Sequence, residues 1–153
     1  MPGTTEALDT ATATRLRTVL GRLARQLRTT TAATDAGLTP TKISVLLTVD
    51  RRGMTRISEV GEIEALNPTL LSRSISTLVD AGLLDRVSDA ADRRTAWVQV
   101  TDEGHRLAER MRRERTEVVN RGMSALPAAE RRIVEQAIPA LEALADELRD
   151  GPR

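Results

Sequence analysis

Apolar residues recur every three or four positions along most of the chain, and this spacing predicts amphipathic α-helices. In the first such stretch Leu16, Leu20 and Leu23 alternate with arginines. This pattern indicates one long helix from about residue 12 to residue 33, which we expect Asp35-Ala36-Gly37 to end. A hydrophobic seam on so long a helix is typical of a helix that packs against another helix.

Three shorter helices are predicted next, each with a recognisable start or end. The first begins at Thr39-Pro40, where we expect a side-chain cap followed by proline at the first helical position, and ends at Gly53. Another begins near Thr55. Asn67-Pro68 repeats the cap-and-proline start, and Ala81-Gly82 provides a site for a left-handed C-cap.

The apolar period changes after Gly82 from helical spacing to alternation. Residues 83–87 and 95–100 are predicted strands, and residues 88–92 form the turn between them. We expect a single β-hairpin in the chain. Its tip carries Asp92-Arg93-Arg94, so two arginines would project from it.

Helical spacing then returns for the remainder of the chain. Thr101 is expected to cap a long helix that Leu126-Pro127 interrupts, and a last helix follows. Pro139 lies inside that last helix and predicts a kink there. The predicted fold class is therefore mainly α, with six helices and a small β-hairpin.

Two short helices joined by a tight turn and followed by a hairpin make a winged helix-turn-helix, whose second helix lies in the DNA major groove. The predicted solvent side of that helix presents short hydroxyls and one bidentate donor, which suit phosphates and base edges. Arginines at the hairpin tip suit a narrow minor groove. The candidate DNA-binding residues are Lys42, Arg56, Thr69, Ser72, Arg73, Ser76, Thr77, Asp92, Arg93 and Arg94.

Composition excludes several other classes of function. The chain has no cysteine and a single histidine, His105, so a structural zinc site, a disulfide framework and a thiol switch are excluded. Trp97 is the only aromatic residue, which argues against a base-stacking RNA platform. No nucleophile–base pair or phosphate-binding glycine loop is present, so we expect no enzyme, no catalytic residues, no metal and no cofactor.

The charge distribution favours an alternative function. Residues 53–101 contain five arginines and seven acidic residues, a net charge of −2, although DNA affinity depends largely on neutralising phosphates. Residues 1–52 compensate with a net charge of +4. A helical protein–protein interaction module that keeps the fold without operator recognition is therefore a second hypothesis.

Several segments between residues 38 and 110 together resemble the MarR (multiple antibiotic resistance regulator) family of bacterial transcription factors. They are Leu38-Thr39-Pro40, residues 67–73 (NPTLLSR), residues 78–84 (LVDAGLL), residues 89–94 (DAADRR) and residues 98–104 (VQVTDEG). An Asp-x-Arg hairpin tip followed about ten residues later by Thr-x-x-Gly is a specific pattern.

The resemblance implies a homodimer whose first and last helices interlock, a winged-helix lobe on each side, and a crevice that responds to a small-molecule effector. It also implies that Arg94 enters the minor groove, that Asp92 orients the wing arginines, and that Arg73 and Ser72 face DNA. Arg93 would contact phosphate. The protein would be a repressor that binds a pseudo-palindromic operator.

The resulting organisation is a tail over 1–11, a dimerisation helix over 12–37, a winged helix-turn-helix over 38–101 and dimerisation helices over 102–153. No apolar run is long enough to span a membrane and no signal peptide is recognisable, so a cytoplasmic location is expected. Some residues depart from the family pattern, namely Gly61, Glu64, Ser74 and Ser76.

Overall fold

A computed structural model of the chain describes residues 10–28, 30–88 and 96–150, and these form seven helices and one antiparallel sheet. In chain order the elements are α1 (Thr10–Arg28), α2 (Thr31–Asp35), α3 (Pro40–Arg52), β1 (Thr55–Arg56), α4 (Ile57–Ile63), α5 (Pro68–Asp80), β2 (Leu84–Ser88), β3 (Ala96–Val100), α6 (Asp102–Ala125) and α7 (Ala128–Asp150). The predicted fold class, mainly α with a small β element, is confirmed. No helix in these ranges is long and apolar enough to cross a membrane.

The long first helix that the apolar spacing predicted is divided into two. Helix α1 ends at Arg28, and α2 is a separate helix of five residues. Thr30 has extended backbone angles, and its Oγ1 accepts a hydrogen bond from the Ala33 amide at 3.2 Å. The expectation of one continuous helix to residue 33 is therefore wrong, because Thr30 begins a new helix.

The sheet has three strands, and the sequence predicted only two of them. β1 pairs antiparallel with β3, with Thr55 opposite Val98 and Arg56 opposite Trp97, so the strand order is β1-β3-β2. The helix expected to begin near Thr55 begins at Ile57 instead. A two-residue strand is set by its distant partner rather than by local spacing, which explains why alternation did not reveal it.

The helix-turn-helix is formed by α4 and α5, and its predicted boundaries are largely confirmed. Asn67 accepts a hydrogen bond from the Leu70 amide at 2.9 Å, Pro68 opens α5, and Gly82 follows the helix with φ +69°. The start of α3 rests on Pro40 alone, because Thr39 makes no side-chain cap. That part of the prediction is wrong.

Thr101 begins α6 as predicted and also ties it to the turn before β2. Its Oγ1 accepts a hydrogen bond from the Gly104 amide at 3.0 Å and donates one to the Gly82 carbonyl at 2.7 Å. The buried core of this part of the chain lies where helices α3 to α6 meet the sheet. Its largest fully buried side chains are Val45, Leu46, Val49, Val60, Ile75, Leu78, Leu84, Val98 and Met111.

The described residues divide into two compact units, one up to Arg115 and the other from Thr116 onward. α6 ends and α7 begins on either side of Leu126-Pro127, as predicted, and α7 is continuous through Pro139. The kink expected there stays a prediction. No residue of α1 is buried, nor is any residue of α7 up to position 148, and both helices expose large apolar side chains, among them Val19, Leu23, Ile133 and Ile138.

Candidate nucleic-acid interface

The spacing of apolar residues in α5 fixes which side chains face solvent. Leu71, Ile75 and Leu78 lie one helical turn apart and are at most 5% exposed, so one face of the helix is anchored in the core. Thr69, Ser72, Arg73 and Thr77 are exposed, which places a guanidinium and three hydroxyls on the outer side. Ser74 is 3% exposed, and its Oγ donates to the Leu70 carbonyl at 2.8 Å.

The last two predicted hydroxyls of α5 are engaged in hydrogen bonds within the chain. Thr77 Oγ1 donates to the Arg73 carbonyl at 2.9 Å, which leaves its lone pairs on the exposed surface. Ser76 is half-buried, and its Oγ accepts a hydrogen bond from Arg86 Nη2 at 2.9 Å. The structure thus separates Ser76 from the exposed residues with which the sequence grouped it.

Arg86 is a candidate contact that the sequence reasoning missed. It lies on β2, an edge strand of the sheet that follows α5 after the turn at Gly82, and its side chain is exposed. The signal that could have found it is weak: an outward-facing arginine in the strand after the predicted reading helix. Only the three-dimensional packing of β2 beside α5 brings this arginine within reach of Ser76.

The two remaining described cations of the predicted set occupy different environments. Arg56 is exposed on β1, and its Cζ stands 5.1 Å from the centre of the Trp97 ring, within cation–π distance. Lys42 is half-buried near the start of α3, and no hydrogen bond or ion pair within the described ranges involves it. Arg56 lines a groove between α4, α5 and the sheet, and Lys42 is not among the described lining residues.

A groove of about 610 Å³ lies between α4, α5 and the sheet. Two arginines, Arg56 and Arg86, line it together with hydroxyls from Ser58 and Ser72, and Glu62 is the one carboxylate among its described lining residues. The rest of the lining is apolar, including Ile57, Leu66 and Leu71, so the arginines and hydroxyls are the groups there that suit a phosphate or another anion.

The tip of the hairpin lies outside the described residues. Asp92, Arg93 and Arg94 all fall in the segment 89–95 that joins β2 to β3, so their predicted roles stay predictions. The strands on either side are nevertheless paired in a single register, from Leu84 opposite Val100 to Ser88 opposite Ala96.

Two of the acidic residues that gave residues 53–101 a negative charge make side-chain contacts with α3. Glu64, which departs from the family pattern, accepts hydrogen bonds from the hydroxyls of Ser44 and Thr48 on α3. Glu59 pairs with Arg52, also on α3, at 2.7 Å. Both carboxylates therefore contact α3, but only Glu59 has a cationic partner among the described residues, and that partner, Arg52, already belongs to the positive count of residues 1–52.

A second polar cluster joins α3 to α6. The Asp50 carboxylate is 2% exposed; His105 Nδ1 lies 2.6 Å from one oxygen and Arg112 donates to the other. Burial alone would raise the pKa of Asp50, but the hydrogen bonds from His105 and Arg112 outweigh it and hold the pKa below its ordinary value. The same carboxylate raises the pKa of Arg112. No group of three or more metal-binding side chains clusters in the described parts of the chain.

A helix-turn-helix with an outward-facing polar helix, followed by a paired β-hairpin, defines a winged-helix DNA-binding protein. Comparisons with known proteins identify the family. The MarR family model matches residues 38–96, and an uncharacterized HTH-type transcriptional regulator of Mycobacterium bovis is 30% identical over 139 residues, covering 91% of this chain and 96% of that protein.

Solved structures agree with this fold. A transcriptional regulator of Thermotoga maritima superposes with a TM-score of 0.76 at 19% identity, covering 94% of this chain and 100% of that one. Wild-type MarR of Escherichia coli gives a TM-score of 0.71 at 18% identity, covering 84% and 94%. The chain belongs to the MarR family of HTH-type transcriptional regulators, and the resemblance seen in the sequence is confirmed.

Proposed function

We propose that this protein reads double-stranded DNA by sequence, with α5 in the major groove. The observation that carries this proposal is the outer face of α5, where Thr69, Ser72 and Arg73 are exposed in its first two turns while the opposite face is buried. The N-terminal half of a recognition helix is the part that contacts bases. An arginine there can donate two hydrogen bonds to guanine, and hydroxyls serve bases or phosphates.

The hairpin tip would occupy the adjacent minor groove. By the family resemblance, Arg94 would insert into that groove, Asp92 would orient the arginines, and Arg93 would contact phosphate. Narrow minor grooves concentrate negative potential and attract arginine, which gives this contact a physical basis.

We propose that the functional unit is a homodimer formed by α1 and α7. Helix α1 exposes 55% of Leu23 and 47% of Val19, and α7 exposes 65% of Ile133 and 47% of Ile138. Apolar stripes of this kind on regularly spaced helical positions are typical of surfaces that another helix covers. A second copy of the chain is the occupant that the family resemblance favours.

Such a dimer would bind a pseudo-palindrome whose half-sites lie about one helical turn, ~34 Å, apart. It would repress transcription by blocking access of the polymerase to the operator, in the bacterial cytoplasm. A small-molecule effector would release it by binding better to a dimer in which the two α5 helices have lost that spacing. The buried Asp50 contact between α3 and α6 supports these helices as the connection between reading lobe and dimer helices.

Fluorescence anisotropy with a duplex selected from a random pool tests this proposal. We expect Arg73→Ala and Arg94→Ala each to weaken binding by about tenfold or more, because each removes a groove contact. Arg106→Ala is the matched control, because it removes the same charge from a residue that pairs with Glu103 on α6. Equal binding by all three variants would instead favour the interaction-module hypothesis that the net acidic lobe suggested.

A further inference from the structure

The groove between α4, α5 and the sheet contains two arginines that no described carboxylate neutralises. Arg52, Arg106 and Arg112 all pair with carboxylates, whereas no ion pair within the described ranges involves Arg56 or Arg86. Both line the groove and both are exposed. Within the described ranges these two charges are therefore exposed and lack an ionic partner.

Ser76 restrains the guanidinium of Arg86. Its Oγ accepts from Arg86 Nη2 at 2.9 Å, so one of the five guanidinium N–H donors is used in this contact. A long side chain that is already held loses less rotamer freedom when a ligand binds. Ser76 is half-buried, which suits a role in orienting Arg86 better than a role in reading bases.

The position of the groove indicates what it would bind. If α5 lies in the major groove and the hairpin in the neighbouring minor groove, the DNA strand that separates those grooves must pass between α5 and the sheet. In that arrangement the 610 Å³ groove, which Ser72 lines from α5 and Arg86 from β2, would lie against this strand.

We propose that this groove seats the sugar-phosphate backbone between the two DNA grooves, with Arg86 as its principal phosphate-binding residue and Arg56 beside it. Ser76 is a positioning residue for Arg86. This inference rests on the proposed docking of α5 and the hairpin. It assigns a binding role to a strand residue and reassigns Ser76 from base recognition to orientation of a phosphate contact.

Glu62 places a negative charge on the same groove, so removing that charge tests the proposal by an expected gain in DNA affinity rather than a loss. A carboxylate beside a bound phosphate weakens the complex by repulsion. Glu62→Gln should therefore strengthen DNA binding about twofold to threefold, and this gain should shrink as salt rises. A merely structural role for the groove predicts no such gain.

The main experiment measures anisotropy with the selected duplex at several KCl concentrations. Arg86→Ala should weaken binding about fivefold to tenfold and reduce the slope of log affinity against log salt by about one, as expected for loss of one phosphate contact. The loss should be the same on a scrambled duplex, because phosphates carry no sequence information. Arg106→Ala, the control, should leave both quantities unchanged.

Ser76→Ala tests the positioning role. It should weaken binding about twofold in wild type and have no effect when Arg86 is already alanine, because its effect acts through Arg86. Equal effects of Ser76→Ala in both backgrounds would contradict that role. Thermal unfolding of each variant establishes that the fold is retained.

A scan of the duplex with neutral methylphosphonates identifies the phosphate concerned. Wild type should lose affinity when one phosphate between the two contacted grooves is neutralised, and Arg86→Ala should be insensitive to that substitution. If Arg86→Ala matched wild type in affinity, salt slope and scan while Arg73→Ala lost binding, the groove proposal would be wrong and the proposed function would stand. If no variant changed DNA binding, the proposed function would fail as well.

Discussion

Asp50 shows how a single residue can connect two helices that are far apart in sequence. Its carboxylate is almost completely buried, and its two contacts, His105 and Arg112, come from α6, 55 and 62 residues further along the chain. A buried carboxylate is favourable only when its oxygens are satisfied. We therefore expect this residue to matter for stability, although it touches no predicted DNA contact.

Asp50→Asn should lower the free energy of unfolding by about 1–3 kcal/mol, because it removes a buried charge that pairs with Arg112 and leaves that arginine only its pair with Glu109. Urea unfolding followed by the fluorescence of Trp97, the only aromatic residue, measures the change. Asp80→Asn, at an exposed position near the end of α5, is the control and should change little. Similar losses in both variants would contradict a specific role for Asp50.

The stabilisation that Asp50 provides should depend on pH in one direction. Its pKa is lower in the folded protein than in the unfolded chain, so its contribution is complete above the unfolded value of about 3.9 and is lost as pH falls through the folded value. The difference in unfolding free energy between wild type and Asp50→Asn should therefore shrink as the pH falls. Urea titrations at a series of pH values below about 5 measure it. A difference that stayed constant or widened would contradict this account.

At the residue scale, the exposure of side chains on α5 was predictable from the sequence, because local periodicity determines it. Thr69, Ser72 and Arg73 were predicted to be exposed because the buried leucines and isoleucine of α5 recur at helical spacing. The environment of Ser76 depends on Arg86, which arrives from a strand ten residues later through the packing of β2. No local sequence pattern indicates the contact between Arg86 and Ser76.

At the scale of elements, the long helices and the capped starts were predictable, and the shortest elements were not. α2 depends on Thr30 and on Glu114, a residue far away in sequence. The Oε1 atom of Glu114 accepts a hydrogen bond from the Ala32 amide at 3.1 Å. β1 depends on pairing with β3. Both elements are stabilised by partners distant in sequence, whereas α5 carries its own cap, proline and C-terminal glycine.

Gly104 fixes how closely the first turn of α6 approaches the turn before β2. A Cβ at this position would stand 2.0 Å from the Leu83 carbonyl oxygen, a backbone atom that cannot move independently. Gly104→Ala should therefore destabilise the protein by about 2 kcal/mol or more, in spite of the better helix propensity of alanine.

Gly122→Ala is the matched control in the same helix. A Cβ there meets nothing within 4 Å, so the substitution should stabilise the protein by about 0.5–1 kcal/mol through helix propensity alone. Thermal unfolding of the two variants compares them directly. Stabilisation by Gly104→Ala would show that α6 is not held this closely against Leu83.

At the scale of the whole molecule, the exposed apolar residues of α1 and α7 predict self-association. Leu23→Asp and Ile133→Asp should each convert the proposed dimer into a 16.7 kDa monomer, because a charge at a covered apolar position is costly to bury. Met54→Asp is the control, since Met54 is 56% exposed and belongs to the loop after α3 rather than to either helix. Light scattering coupled to size-exclusion chromatography measures the mass, and a monomeric wild type would contradict the proposed assembly.

Selection of random duplex DNA by the purified protein at one moderate salt concentration tests the central claim most directly. Two α5 helices presented by one dimer should enrich a two-fold-symmetric consensus whose half-sites are centred about one helical turn apart. Enrichment of such a sequence is the predicted result. No enrichment, with weak binding that disappears as salt rises, would contradict a sequence-specific dimeric reader.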